Sequence, residues 1–199
     1  MPASTSPARL VGVLFILASV TAIVGGGLVA TGSEVTGALL EVVLALSVVA
    51  IAALLLPILR RSSEGGAVLY AAVRTLEATL ILIGIVAALV ATSGTDSPEL
   101  APTVREWAYH LGTVLVFAVS AVVLNALLLR GRLAPPRPAL ARLAPPWLAW
   151  WGLAGGVLLA ARGAIELYGP LPAAAQAALA APIGIQEMVF AVWLIARRP

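Results

Sequence analysis

The stretch GALLEVVLALSVVAIAALLLPILRR, residues 37–61, decides the fold class. From Gly37 to Leu59 its one ionisable side chain is Glu41, and the run closes on the pair Arg60 and Arg61. A soluble amphipathic helix shows a polar stripe every third or fourth residue, and this run has no such stripe. About 20 residues of this kind, rising about 1.5 Å each in a helix, cross the roughly 30 Å hydrocarbon core of a bilayer. The rest of the chain agrees: of 199 residues, 61% are hydrophobic and 11% charged, with a mean hydropathy of +1.06. A soluble domain is about half apolar and a quarter charged. No polar stretch is long enough for a soluble catalytic domain, so any chemistry lies in the bilayer or at its edge.

Outward from this run, length and punctuation define six spans in a single domain covering residues 1–199. They are expected at about 10–31, 38–59, 66–91, 106–129, 147–168 and 173–196. The first is about 22 residues long, more than the roughly 7–15 of a cleaved signal core, so it is taken as a span. Pro182 and Gly184 are expected to bend or interrupt the last. Alternating helices divide the loops into two sides. Arg9, Arg60, Arg61, Arg130, Arg132, Arg137, Arg142, Arg197 and Arg198 fall on one side. Only Arg105 falls on the other, with Glu34, Asp96, Glu99 and Glu106. By the positive-inside rule the chain is an all-α integral membrane bundle of six transmembrane helices with N- and C-termini cytoplasmic, located in the cell membrane. Trp107, Tyr109, Trp147, Trp150, Trp151 and Tyr168 stand near span ends, where amphipathic rings prefer the headgroup region.

Composition also excludes. There is no Cys, so no disulfide, thiolate nucleophile, thiolate zinc site or cysteine-ligated cluster is available. A single histidine, His110, rules out a bis-histidine haem, and it is read as an interfacial residue. The formal charge of +3 follows membrane topology, so no nucleic-acid partner is expected. No phosphate-binding loop, dinucleotide fingerprint, zinc-protease helix or Gly-x-Ser-x-Gly occurs, so no catalytic residue, cofactor or metal is assigned. Asn125 is expected to bond between helices, and Gly25 to Gly27, Gly152 and Gly156 to let helices approach closely. All basic residues are Arg, in a chain rich in Ala, Leu, Gly and Pro, which is the bias of a GC-rich bacterial genome.

Several local runs together resemble a known family. They are Arg9-Leu10-Val11-Gly12, Pro57-Ile58-Leu59-Arg60-Arg61 with Glu64, and Tyr70, Arg74 and Glu77. The run Pro146 to Gly152, Gln186-Glu187-Met188 and Trp193-Leu194-Ile195 complete the set. The order resembles the bacterial multi-pass family known as domain of unknown function 4386, over nearly the whole chain. That resemblance implies fold and membrane location and supplies no activity, so function has to come from the residues.

An ionised side chain at the bilayer centre costs about 2.5–3.5 kcal/mol on the insertion scale, so buried charges must face inward and find partners. The candidates are Glu41, Arg74, Glu77, Arg162, Glu166 and Glu187. Counted at about 1.5 Å per residue from the Arg-rich side, Arg74 and Glu77 lie roughly 12–17 Å deep and Glu187 about 15 Å. Arg162 falls at about 22 Å, and Glu166 and Glu41 at about 28 Å. Each layer thus holds one Arg and two Glu. Arg74 and Glu77 are i,i+3, and Arg162 and Glu166 are i,i+4, so each pair projects from one helix face. The surplus carboxylate of each layer is expected to hold a proton or attract a cation, with Glu187 the foremost candidate.

The expected arrangement is a polar cavity among helices 2, 3, 5 and 6, opening outward. The competing reading is a set of ion pairs that only fix helix register. Binding or transport of a small polar or protonatable molecule or ion therefore ranks first. A structural or regulatory membrane subunit ranks second. An intramembrane acid/base enzyme acting on a lipid-soluble substrate ranks third, and a non-enzyme is favoured.

Overall fold

The computed structural model describes residues 7–93, 100–133 and 143–196. Arg137, Arg142, Arg197, Arg198, Asp96 and Glu99, which carry part of the charge count, lie outside them. Six helices are long and apolar enough to cross a membrane. They are α1 (Pro7–Ala30), α2 (Glu34–Leu59), α3 (Glu64–Thr92), α4, α5 (Pro146–Glu166) and α6 (Ala173–Ala196). In α4, α-helix Leu100–Tyr109 passes into a π-helical turn, His110–Val116, and back into α-helix Phe117–Leu133. The large apolar residues left exposed, such as Ile23, Leu39 and Leu46, give the bundle an apolar outer surface suited to lipid.

The connections explain the antiparallel order. At the end of α1, Gly32 adopts φ +86. The Ser33 amide donates to Leu28 O at 2.8 Å and the Gly32 amide to Val29 O at 3.2 Å. This is the Schellman pattern, which favours a glycine because a Cβ is disfavoured at positive φ. The chain reverses at once into α2. At the opposite end, the Ser63 hydroxyl accepts from the Gly66 amide at 3.2 Å and caps α3, with Glu64 in its first turn. Consecutive helices then pack side by side, and α6 returns to α1. A Cβ at Gly12 would stand 2.7 Å from Ala191 O, so only glycine permits that closure of the bundle. Arg60, Arg61 and Arg130 mark one end of the molecule, the Arg-rich end, and the α1–α2 and α5–α6 connections mark the other.

Span boundaries differ from expectation mainly at α4, which begins at Leu100 rather than near Glu106. Pro102 sits in its first turn, where the missing N–H costs no helical bond. The expected interruption of α6 is not found: α-helix runs unbroken from Ala173 to Ala196 through Pro182. Packing against α5, where Gly155 lies against Ile183, holds the helix across the proline. A core of Val11, Phe15, Ile51, Leu55, Tyr70, Leu128, Leu148 and Phe190 fills the Arg-rich half, and the charged residues cluster above it.

Candidate functional site

The stripe Tyr70, Arg74, Glu77, Ile81 and Gly84 is the buried face of α3, as its spacing predicts. Arg74 is 2% and Glu77 4% exposed, which makes their pairing obligatory. Arg74 NH1 donates to Glu77 Oε2 at 2.9 Å and Oε1 at 3.2 Å. The guanidinium lies 6.0 Å from the Phe15 ring centroid and 5.7 Å from that of Phe117, so aromatic faces from α1 and α4 flank the cation. Its Nε is buried and has no hydrogen-bond partner among the described residues.

Glu187, on α6, borders the same space in a different way. A cavity of about 160 Å³ is lined by Arg74, Glu77 and Glu187 with Ser19, Tyr109 and Thr113. On the other side of Arg74 a pocket of about 10 Å³ is lined by Tyr70, Arg74, Ser120, Asn125, Gln186 and Glu187. The smaller space is about one water in size, and the larger matches cavities of about 150 Å³ that admit a benzene-sized molecule. Glu187 is half-buried between them and takes no hydrogen bond or ion pair among the described residues.

Two expectations are corrected here. The cavity lies among α1, α2, α3, α4 and α6, not among helices 2, 3, 5 and 6: residues of α1 line it, with Tyr109, Thr113 and Phe117 in and beside the π-helical turn. Asn125 does not bond between helices. Its Nδ2 donates to Ala121 O of its own helix at 2.8 Å, with the side chain pressed against Gly152 of α5. Gln186 makes the cross-helix bond instead, from Nε2 to Leu148 O at 3.2 Å.

The Arg-poor half holds two separate groups rather than one layer. Glu41, 3% exposed, is met by Arg105: NH2 to Oε1 at 2.7 Å and NH1 to Oε2 at 3.1 Å. Arg105 NH1 also donates to Gly84 O at 3.1 Å. The expected surplus carboxylate at Glu41 is therefore absent, because the extra turns of α4 carry Arg105 into the bundle. The second group is Arg162 and Glu166, joined as predicted with Nε to Oε1 at 3.1 Å. Arg162 NH2 reaches Gln176 Oε1 at 3.3 Å. His110, expected at the interface, instead bridges α4 and α5. Its Nε2 lies 3.0 Å from Gly163 O and its Nδ1 3.5 Å from Glu166 Oε2.

Sequence reasoning thus found all six ionisable residues that it named inside the bundle, and missed Arg105, Ser120 and the two phenylalanines around Arg74. Arg105 had a signal, being the one arginine on the wrong side of the charge count.

Arg74 and Glu77 on α3 and Glu187 on α6 all lie within a stretch that matches one family. Residues 10–197 match the family described as domain of unknown function, DUF4386. The chain belongs to the DUF4386 family. No curated protein and no solved structure matches the chain. As a DUF4386 member it is a multi-pass helical protein whose family brings no assigned activity, and its charged interior is the place to look for one.

Proposed function

We propose that this protein binds, and passes across the membrane, a small polar or protonatable solute in the cavity shared by Arg74, Glu77 and Glu187. One observation carries this reading. Among the described residues, three buried or half-buried arginines each take one carboxylate, Arg74 with Glu77, Arg105 with Glu41 and Arg162 with Glu166. Glu187 is left over, and it faces a space large enough for a ligand. The one-to-one pairs are what register-fixing alone would select, and they favour the structural-subunit reading for those six residues. They give no reason for a seventh charge-bearing group at mid-depth, where such groups mark ligand or proton paths.

On the charge count, both termini face the cytoplasm and the Arg-poor end faces outward. Tyr109 and Thr113 then stand on the outward side of the cavity, and Glu187 at its floor. A ligand with hydrogen-bond donors satisfies the carboxylate of Glu187. Arg74, already neutralised by Glu77, leaves no net positive charge to repel a cation.

The test is a stabilisation screen of detergent-purified protein against ammonium salts, organic acids, metal cations and lipids. A solute that binds only the folded state raises its melting temperature by mass action, by an amount that grows with the logarithm of its concentration. The expected result is that at least one protonatable solute stabilises the wild type. Glu187→Gln, which keeps size and hydrogen-bonding capacity, melts normally and loses the response. Stabilisation of both proteins alike would return Glu187 to a packing role.

A further inference from the structure

A second pocket lies at the Arg-poor end between α4, α5 and the α5–α6 connection, with a volume of about 480 Å³. This is within the usual range of small-molecule sites, roughly 300–1,000 Å³. Its charges are unevenly matched. Arg162 is committed to Glu166 through Nε and to Gln176 through both terminal nitrogens, so it offers no free positive charge. Glu106, which also lines the pocket, is exposed and has no hydrogen bond or ion pair among the described residues. The lining thus holds two carboxylates, Glu106 and Glu166, against one arginine.

Aromatic rings form part of its remaining wall, beside Val114, Leu167 and Pro170. Trp107 stands edge-on to His110 with ring centroids 5.9 Å apart, and Tyr109 and Tyr168 complete the rim. Tyr168 is 96% exposed, more than a packing role requires. An unpaired carboxylate among indole and phenol faces is the chemistry that recognises an organic ammonium, which combines ion pairing with cation–π attraction. Tyr109 lines this pocket and also the cavity of Arg74, Glu77 and Glu187.

We propose that this outer pocket is a binding site for an organic ammonium group, held by Glu106 and the Trp107, Tyr109 and Tyr168 rings. The site stands without the role proposed for Glu187. Its ligand chemistry has two sources, a free amine or the headgroup of phosphatidylethanolamine.

Isothermal calorimetry of the full chain in detergent, with methylammonium and tetramethylammonium chloride against sodium chloride of equal ionic strength, tests it. Saturable binding is expected, weakened about two- to fivefold by Glu106→Gln and by Tyr168→Ala, the loss of one exposed ion pair or cation–π contact. Both residues are exposed, so the fold survives either change. Glu187→Gln should leave this binding intact, so failure of the buried site and failure of the outer one are separable. Repeating the titration in nanodiscs distinguishes the sources: suppression by phosphatidylethanolamine but not phosphatidylglycerol identifies the headgroup, and equal binding in both identifies a free amine. No saturable binding of either probe, or equal affinity in wild type and Glu106→Gln, would overturn the proposal.

Discussion

Arg74→Ala is expected to destabilise the protein by about 3–5 kcal/mol, the range for removing one partner of a buried pair. It leaves Glu77, 4% exposed, without its only hydrogen-bonding partner among the described residues. It also removes the cation between Phe15 and Phe117. Arg61→Ala, at an exposed position, is the control and should fall within about 0.5 kcal/mol of wild type. Folded yield and melting temperature in detergent would show the difference. Replacing both partners, with Arg74→Met and Glu77→Leu together, should recover much of the loss, because the cost lies in the stranded charge more than in the missing pair. Wild-type stability in Arg74→Ala alone would mean that the pair is not desolvated.

Arg105→Ala is the second large effect, expected near the lower end of the same range, about 3 kcal/mol. The stranded group is Glu41, whose side chain is 4% exposed, while that of Arg105 is 17% exposed and nearer water. Two parallel N–H···O bonds and the bond to Gly84 O are lost together. Arg105→Lys should rescue only part, since an ammonium cannot make the forked contact to both carboxylate oxygens. Glu41→Gln should be milder than Arg105→Ala, because the charge left behind, Arg105, is nearer water and keeps its bond to Gly84 O. Thermal melts of the three variants in one detergent give the order directly. If Arg105→Ala melts with wild type, Glu41 has another counter-charge.

The fold was legible in the sequence because a bilayer leaves the chain few options: a run of about 20 apolar residues must be helical to satisfy its own backbone. The stripe from Tyr70 to Gly84 and the two local pairs, Arg74 with Glu77 and Arg162 with Glu166, were legible for a related reason. Helical periodicity fixes which residues share a face.

What sequence could not supply were relations between helices. Depth counting put Glu41 in one layer with Arg162 and Glu166, but depth does not say where around the bundle a side chain points. The partner of Glu41 proved to be Arg105, on a helix that starts earlier than its hydropathy suggests. The π-helical turn at His110–Val116 leaves no sequence signature, yet Thr113 within it lines the cavity and His110 at its start meets Glu166. Pro182 does not interrupt α6, since one proline in a well-packed helix removes a hydrogen bond without ending it.

Glu187, unlike Glu41, Glu77 and Glu166, has no arginine ion pair among the described residues and lines the cavity. Labelling with a lipid-soluble carbodiimide, which reacts with protonated carboxyl groups in apolar surroundings, followed by peptide mass spectrometry, measures this directly. The account predicts modification at Glu187, its loss in Glu187→Gln, and little or none at Glu41, Glu77 and Glu166. Modification spread evenly over the four, or confined to the three paired glutamates, would contradict it.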